Sequence, residues 1–304
     1  MMLSSPSFPE QLWKQNCEGQ VSGKINCSLI EFWKKELKER KLIRWNWSLI
    51  DCLITMQPPT LVDLCLDVTC SIPAEYYIRL PLPLKDRLLT KFTKRGSCTD
   101  TILSSLLHSQ LTSLDLRDCQ ISGKGLACLD VAKHLQVLHL PQPPIVRDNH
   151  FSEYSLIRLG EGKTRLRIIT LNGLSGVTDR VVGSLVGGCP FLQELHIPNT
   201  TITNHALTAI ATLTHLVCLN IARTQVTDVG IQHLVGGGVR HSLQELRVDG
   251  CARLTDDSIE TLCLCCSRLN ILCFHHCPRV SERSRELLGE LMACKMKQIT
   301  WTVY

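Results

Sequence analysis

No stretch of the chain approaches the ~18 uninterrupted apolar residues of a membrane span, and Met1–Pro9 lacks both the charged and the apolar region of a secretory signal. Dense Lys/Arg runs are missing too. The 33 Lys+Arg stand against 28 Asp+Glu, and a formal net charge of +5 over 304 residues is too slight to argue for nucleic acid. There is no G-x-S-x-G elbow and no H-E-x-x-H pair, and Gly236-Gly237-Gly238 is not followed by the Lys-Ser/Thr of a phosphate loop. With 44% apolar and 20% charged residues, the composition excludes a disordered or collagen-like chain. The expectation is a soluble non-enzyme without cofactor, away from membranes, in the cytoplasm and/or the nucleus.

Cysteine, by contrast, is plentiful at 17 residues. An odd count without a secretion signal argues for reduced thiols, and a free Cys packs as a small hydrophobe. Spacing supports that use. The segment Leu111-x-x-Leu114-x-Leu116-x-x-Cys119-x-Ile121 matches the leucine-rich-repeat template, with Cys at its Asn/Cys position. The frame returns at Leu192/Leu195/Ile197/Thr200/Ile202 and Leu216/Leu219/Ile221/Thr224/Val226. With one extra residue it returns at Leu166/Ile169/Leu171/Leu174/Val177, Leu243/Leu246/Val248/Cys251/Leu254 and Leu269/Leu272/Phe274/Cys277/Val280. A shorter copy, Leu135/Leu138/Leu140, runs into Pro141-Gln142-Pro143-Pro144, which departs from the regular pattern.

Five copies continue into a helix start: Thr178-Asp179, Thr203-Asn204, Thr227-Asp228, Thr255-Asp256 and Ser281-Glu282. The hydroxyl caps an orphan amide and the acid suits the positive end of the helix dipole. Gly187-Gly188 and Gly236-Gly237-Gly238 then end their helices. The expected fold is therefore α/β: a leucine-rich-repeat solenoid of about seven strand-turn-helix repeats behind an α-helical N-terminal cap.

Strand side chains alternate, so offsets two, four and six from each leading leucine point away from the core and form the concave wall. The candidate partner-binding residues there are Asp115, Arg117, His139, Asn172, Glu194, His196, Asn220, Glu245, Arg247, Asp249 and His275. This wall has no aromatic ladder and no single-sign stripe. It suits a protein partner better than a nucleic-acid strand. Cys263, Cys265, Cys266, Cys273 and Cys277, with His275 and His276, invite a zinc reading. Core packing accounts for Cys266 and Cys277, which fall on positions held elsewhere by Cys189, Cys119 and Cys251. Cys265 has no such account, and no metal is expected.

Cys at the Asn position, Cys189-Pro190 or Cys266-Ser267-Arg268 before the leading leucine, and Thr-Asp before the helix resemble the cysteine-containing repeat subclass typical of F-box leucine-rich-repeat proteins. Leu84-Lys85-Asp86-Arg87-Leu88 through Leu114-Asp115-Leu116-Arg117, and the ending Lys297-Gln298-Ile299-Thr300-Trp301-Thr302-Val303-Tyr304, resemble the animal antagonist of mitotic exit network family over residues 60–304. That resemblance implies cell-cycle control, and the repeat subclass implies substrate selection for ubiquitin ligases.

The domain reading is a disordered 1–28, an amphipathic helical extension at 29–56, a helical cap at 57–107 and the repeats with a C-terminal cap at 108–304. Met56-Gln57-Pro58-Pro59 suggests a second translation start, which would remove residues 1–55. Within the cap, Thr60-Leu61-Val62-Asp63-Leu64-Cys65 resembles an elongin-binding box, with Leu61 and Cys65 sharing one helix face. Thr69 falls where that box expects an aliphatic residue. Leu80-Pro81-x-x-Leu84-x-x-x-Leu88 resembles either the cullin-selecting box that follows or the opening of an F-box. The plainer alternative is that these helices only cover the open end of the solenoid. The expected role is substrate recognition in a cullin-based ubiquitin ligase, with a protein substrate on the concave face and elongin B–C or an F-box-type adaptor as bridge. The alternative is a scaffold or inhibitor in mitotic-exit signalling without ligase recruitment. The chain is expected to be monomeric outside such complexes.

Overall fold

A computed structural model describes residues 73–142, 151–161, 164–284, 286 and 298–300. The chain divides into Met1–Ile72 and Pro73–Tyr304, and the second unit holds all the described residues. The expectations for residues 1–28 and 29–56, the Met56 start, and the box residues Leu61 and Cys65 lie outside them, as do Pro143 and Pro144.

The apolar pattern at the head of each repeat sets the sheet. Offsets zero, three and five point inward, and in the fourth repeat Leu192, Leu195 and Ile197 are completely buried. Between them run the short strands β1 (Ser113–Asp115), β2 (Val137–His139), β3 (Ile168–Thr170), β4 (Glu194–His196), β5 (Cys218–Asn220), β6 (Glu245–Arg247) and β7 (Ile271–Cys273). They are parallel, lie in chain order, and pair like with like, as Leu195 with Leu219. An eighth strand, β8 (Gln298–Thr300), extends the seven expected repeats and pairs Ile299 with Leu272. The regular pairing of β2 with β1 and β3 resolves the second repeat: its strand is ordinary despite Pro141, which is buried at the offset Pro198 occupies two repeats later.

Eight α-helices accompany the strands among the described residues: α1 (Leu82–Lys94), α2 (Asp100–Leu106), α3 (Gly123–Cys128), α4 (Glu153–Gly160), α5 (Asp179–Gly188), α6 (Asn204–Ile210), α7 (Asp228–Gly236) and α8 (Asp256–Cys265). The first two cover the start of the sheet, burying Leu88, Leu89, Phe92, Leu103 and Leu106, with the Tyr77 and Phe92 rings 5.8 Å apart. None of the described helices is long and apolar enough to cross a membrane.

The capping expectation holds at Thr203, Thr255 and Ser281, whose hydroxyls accept from the amide two residues on at 3.4, 3.3 and 3.2 Å, and fails at the other two helix starts. Thr178 and Thr227 make no side-chain cap bond within their own helices. Instead, the acid or amide opening one helix reaches forward to the cap residue of the next. Asp179 accepts from Thr203 N at 2.7 Å, Thr203 Oγ1 at 2.6 Å and Ala206 N at 3.2 Å. Asp228 holds Thr255 and Asp256 holds Ser281 by the same two acceptances, whereas Asn204 accepts from Thr227 N and donates its Nδ2 to Thr227 Oγ1. Glu153 accepts from Thr178 Oγ1 at 2.6 Å, and Asp100 grips Ser122. A carboxylate with several donors is a strong acceptor, so these contacts lock neighbouring repeats as well as ending helices.

Two glycines also act between repeats. Gly188 and Gly237 do not have the left-handed backbone of a C-cap. A methyl at Gly188 would run into the Gly160 carbonyl, and one at Gly237 into the Ala211 carbonyl. Close backbone approach requires them. Left-handed residues occur on the other side of the strand, at offset seven in five consecutive repeats: Gly173, Asn199, Arg223, Gly250 and His276. Their turn aims the amides of Gly173, Asn199, Arg223 and Gly250 at the carbonyl of the next repeat, 2.7–2.9 Å away.

Candidate functional site: the concave wall

Register brings the outward strand residues into transverse rows. Asp115, His139, Thr170, His196, Asn220, Arg247 and Cys273 form one row, each paired with the next across the sheet. Ser113, Val137, Ile168, Glu194, Cys218, Glu245 and Ile271 form the neighbouring row.

The charges on this wall are mostly satisfied within their own strands. Residues two apart on a strand share a face, and three such pairs meet. Arg117 donates to both Asp115 oxygens, Nε at 3.0 Å and Nη2 at 2.7 Å. Those bonds hold the Asp115 carboxyl below its usual range. His196 Nε2 lies 3.4 Å from Glu194 Oε2. Arg247 Nε donates to Glu245 Oε1 at 2.6 Å, and this bond raises the already high Arg247 pKa. The wall therefore presents local ion pairs instead of a field of one sign.

The remaining candidates have other tasks. His139 Nδ1 sits 2.8 Å from Thr170 Oγ1, and burial pushes its pKa down. Asn220 accepts from Ala222 N at 3.1 Å, and Asp249 accepts from His275 N at 2.8 Å, so both help shape the turns that leave the sheet. Asn172 donates to Gln142 at 3.4 Å while its buried Oδ1 has no partner among the described residues. Cys218 and Cys273, nearly buried, floor the wall, and burial lifts the Cys218 thiol to about 12. Such a thiol is a packing group and a poor nucleophile.

A groove of about 580 Å³ continues the wall beyond β1, the edge strand of the sheet. Its far side is one face of α1, with Asp86, Thr90 and Lys94, and its near side includes Ser113, Asp115 and Arg117. The three α1 residues were absent from the sequence candidates. Their four-residue spacing on a helix was the available signal. His108 Nε2 bonds Asp86 at 2.7 Å and ties α1 to the loop before β1.

The adaptor-type residues divide. Pro81 opens α1, with Leu80 and Leu84 half-buried beside it. Leu88 is completely buried in the core and offers nothing to a partner. The exposed apolar residues here are Ile78, at 63%, and Leu82, at 38%. Cys263 and Cys266 do have two residues between them, a Cys-x-x-Cys spacing that suits zinc, but Cys266 is buried and burial lifts both thiols. Among the described residues no group of three His, Cys, Asp or Glu could hold a metal ion.

Residues 109–129 and 212–235 match the family model described as Leucine Rich repeat. The chain is a leucine-rich-repeat solenoid. Among solved structures it is similar to internalin C2 of Listeria monocytogenes, at 20% identity over 73% of this chain and 84% of that one, with a TM-score of 0.47. It is also similar to a chain from the complex of Rad7 and Elc1 in yeast, at 16% identity over 94% and 91%, with a TM-score of 0.33. The C-terminal domain of Caenorhabditis elegans tropomodulin matches at 19% identity over 47% of this chain and 92% of that one, with a TM-score of 0.38.

Proposed function

We propose that this solenoid is a non-catalytic substrate-recognition subunit of a cullin-based ubiquitin ligase, acting in the cytoplasm or nucleus. Its concave wall and the adjoining α1 groove bind the protein substrate, and the start of α1 meets the adaptor. The observation that carries the reading is the pair of large apolar side chains left in solvent around the start of α1: Ile78, in the 3-10 turn Ala74–Arg79 just before the box-like Leu80-Pro81-x-x-Leu84 segment, and Leu82, inside it. Apolar residues presented by a short helix to a partner groove are a common docking mode. The resemblance to the mitotic exit antagonist family supports a substrate in cell-cycle control.

Co-purification of the full chain with elongin B–C or with the F-box adaptor tests this. Capture by elongin B–C that a Leu61→Asp, Cys65→Asp variant loses would assign the elongin type. Capture by the F-box adaptor that an Ile78→Asp, Leu82→Asp variant loses would assign the other. Capture by neither leaves the scaffold or inhibitor role, in which removing the protein does not lengthen its partner's half-life.

A further inference from the structure

The edge of the solenoid where helices hand over to strands has one sign of charge. The segments 108–112, 132–136, 164–167, 189–193, 213–217, 240–244 and 266–270 lead into β1–β7. They contain five Lys or Arg and no Asp or Glu. The five are Lys133, Arg165, Arg167, Arg240 and Arg268, all exposed. Among the described residues no ion pair to a carboxylate involves any of them. Arg165 Nη1 instead rests on His134 Nδ1 at 2.9 Å, and Arg240 Nε on His241 Nε2 at 3.0 Å. In-register pairing sets these segments side by side at about 4.8 Å per strand. Cations placed for the helix dipole would sit in the last helical turn, yet α5, α6 and α8 have none there.

The cations fall into two groups, Lys133 with Arg165 and Arg167, and Arg240 with Arg268. Between them lies a neutral centre. Phe191 is 55% exposed there, its ring 5.5 Å from that of His215. Glu194 and Glu245 stand at the first positions of β4 and β6, just inside the edge. An evenly charged phosphodiester backbone would have to pass both carboxylates, whereas a peptide can keep its middle neutral.

We propose that this edge docks an acidic segment of a partner protein, with carboxylates at both ends on the two cation groups and an apolar residue between them packed on Phe191. This surface is separate from the concave wall and from the adaptor-type segment, and the proposal does not depend on ligase recruitment. Five strand spacings separate β2 from β7, about 24 Å, which an extended peptide spans in roughly seven residues.

The test is a binding titration of the full chain with a labelled peptide carrying glutamate clusters at both ends and a central leucine, with about seven residues from its first glutamate to its last. A uniform single-stranded RNA of similar length is the comparison probe. Wild-type protein should prefer the peptide and lose affinity steeply as salt rises from about 50 to 300 mM. An Arg165→Glu, Arg167→Glu, Arg268→Glu variant should bind at least about tenfold more weakly, and Phe191→Ala about threefold more weakly, while Arg247→Glu on the concave wall leaves this binding unchanged. Should the triple variant fail to fold, the single Arg268→Glu variant with the salt series carries the same reading. Peptide binding that survives the charge reversals, tighter binding of the RNA, or no peptide binding at millimolar concentration would each overturn the proposal.

Discussion

Two joints between neighbouring helices of this solenoid are built from different chemistry. From α5 to α6, Asp179 accepts three hydrogen bonds from the next repeat. From α3 to α4, Gly123 stands where the acid would be and can offer no carboxylate. Among the described residues that joint carries a side-chain link from Arg158 to Asp130 at 2.6 Å, with both partners close to half exposed. The first joint uses a part-buried multidentate acceptor, and the second uses an ion pair that solvent and salt weaken. Repeats of one fold are thus joined unequally, and the inequality comes from one residue at the head of each helix.

Substitutions should reproduce that ranking. Leu195→Ala, in the block held by these clamps, leaves a cavity under β4 and should cost roughly 2–5 kcal/mol in chemical denaturation; an unchanged midpoint would contradict the repeat register. Asp179→Ala strands the donors of Thr203 and Ala206 and should cost roughly 1–3 kcal/mol. Acid should release the same kind of contact at the far end. Burial opposes ionisation of Asp256, but bonds from Ser284 and Ser281 prevail and hold its carboxyl below the usual range. Its contribution is complete above the unfolded value of about 4 and is lost as pH falls through the lower folded value. A pH titration of stability in which Asp256→Asn removes none of the acid sensitivity would refute this. Asp130→Ala should cost only about 0.2–1 kcal/mol and become neutral in high salt. A loss matching that of Asp179→Ala would erase the contrast between the joints. Smallest for stability is Arg247→Glu on the wall, within roughly 0.5 kcal/mol by thermal melting, while binding of the wall's protein partner weakens.

Much of this was legible in the sequence because it is local. The leucines at 111, 135, 166, 192, 216, 243 and 269 each sit two residues before a strand, and the Thr-Asp pairs each open a helix. What escaped was relational. Asp179 looks like a dipole residue until its partner, 24 positions later in the chain, is brought beside it. The Asp115–Arg117 and Glu245–Arg247 pairs require side chains two apart to turn toward each other across a shared face. The eighth strand had a signal in Met296-x-x-Ile299-x-Trp301, but no leucine in any of those places. Leu88 shared the spacing of a docking residue, and only the packing of α1 against α2 decides that it belongs to the core. Single cations scattered one or two to a repeat form no run in the sequence, and they align only when the strands stack.

The left-handed residue at offset seven separates conserved length from free length. From the leading leucine to that residue the chain is the same length at Gly173, Asn199, Arg223, Gly250 and His276, and at the first four the amide meets a carbonyl of the next repeat. All variation between repeats, whose starts lie 24 to 31 residues apart, falls after it. Added residues on the helical side cost little more than loop closure, whereas one added residue before the turn would throw a whole strand out of step. Foreign loops or tags can therefore be grafted beyond the turn, on the helical face, while the ligand-facing strands admit exchange of side chains without change of length.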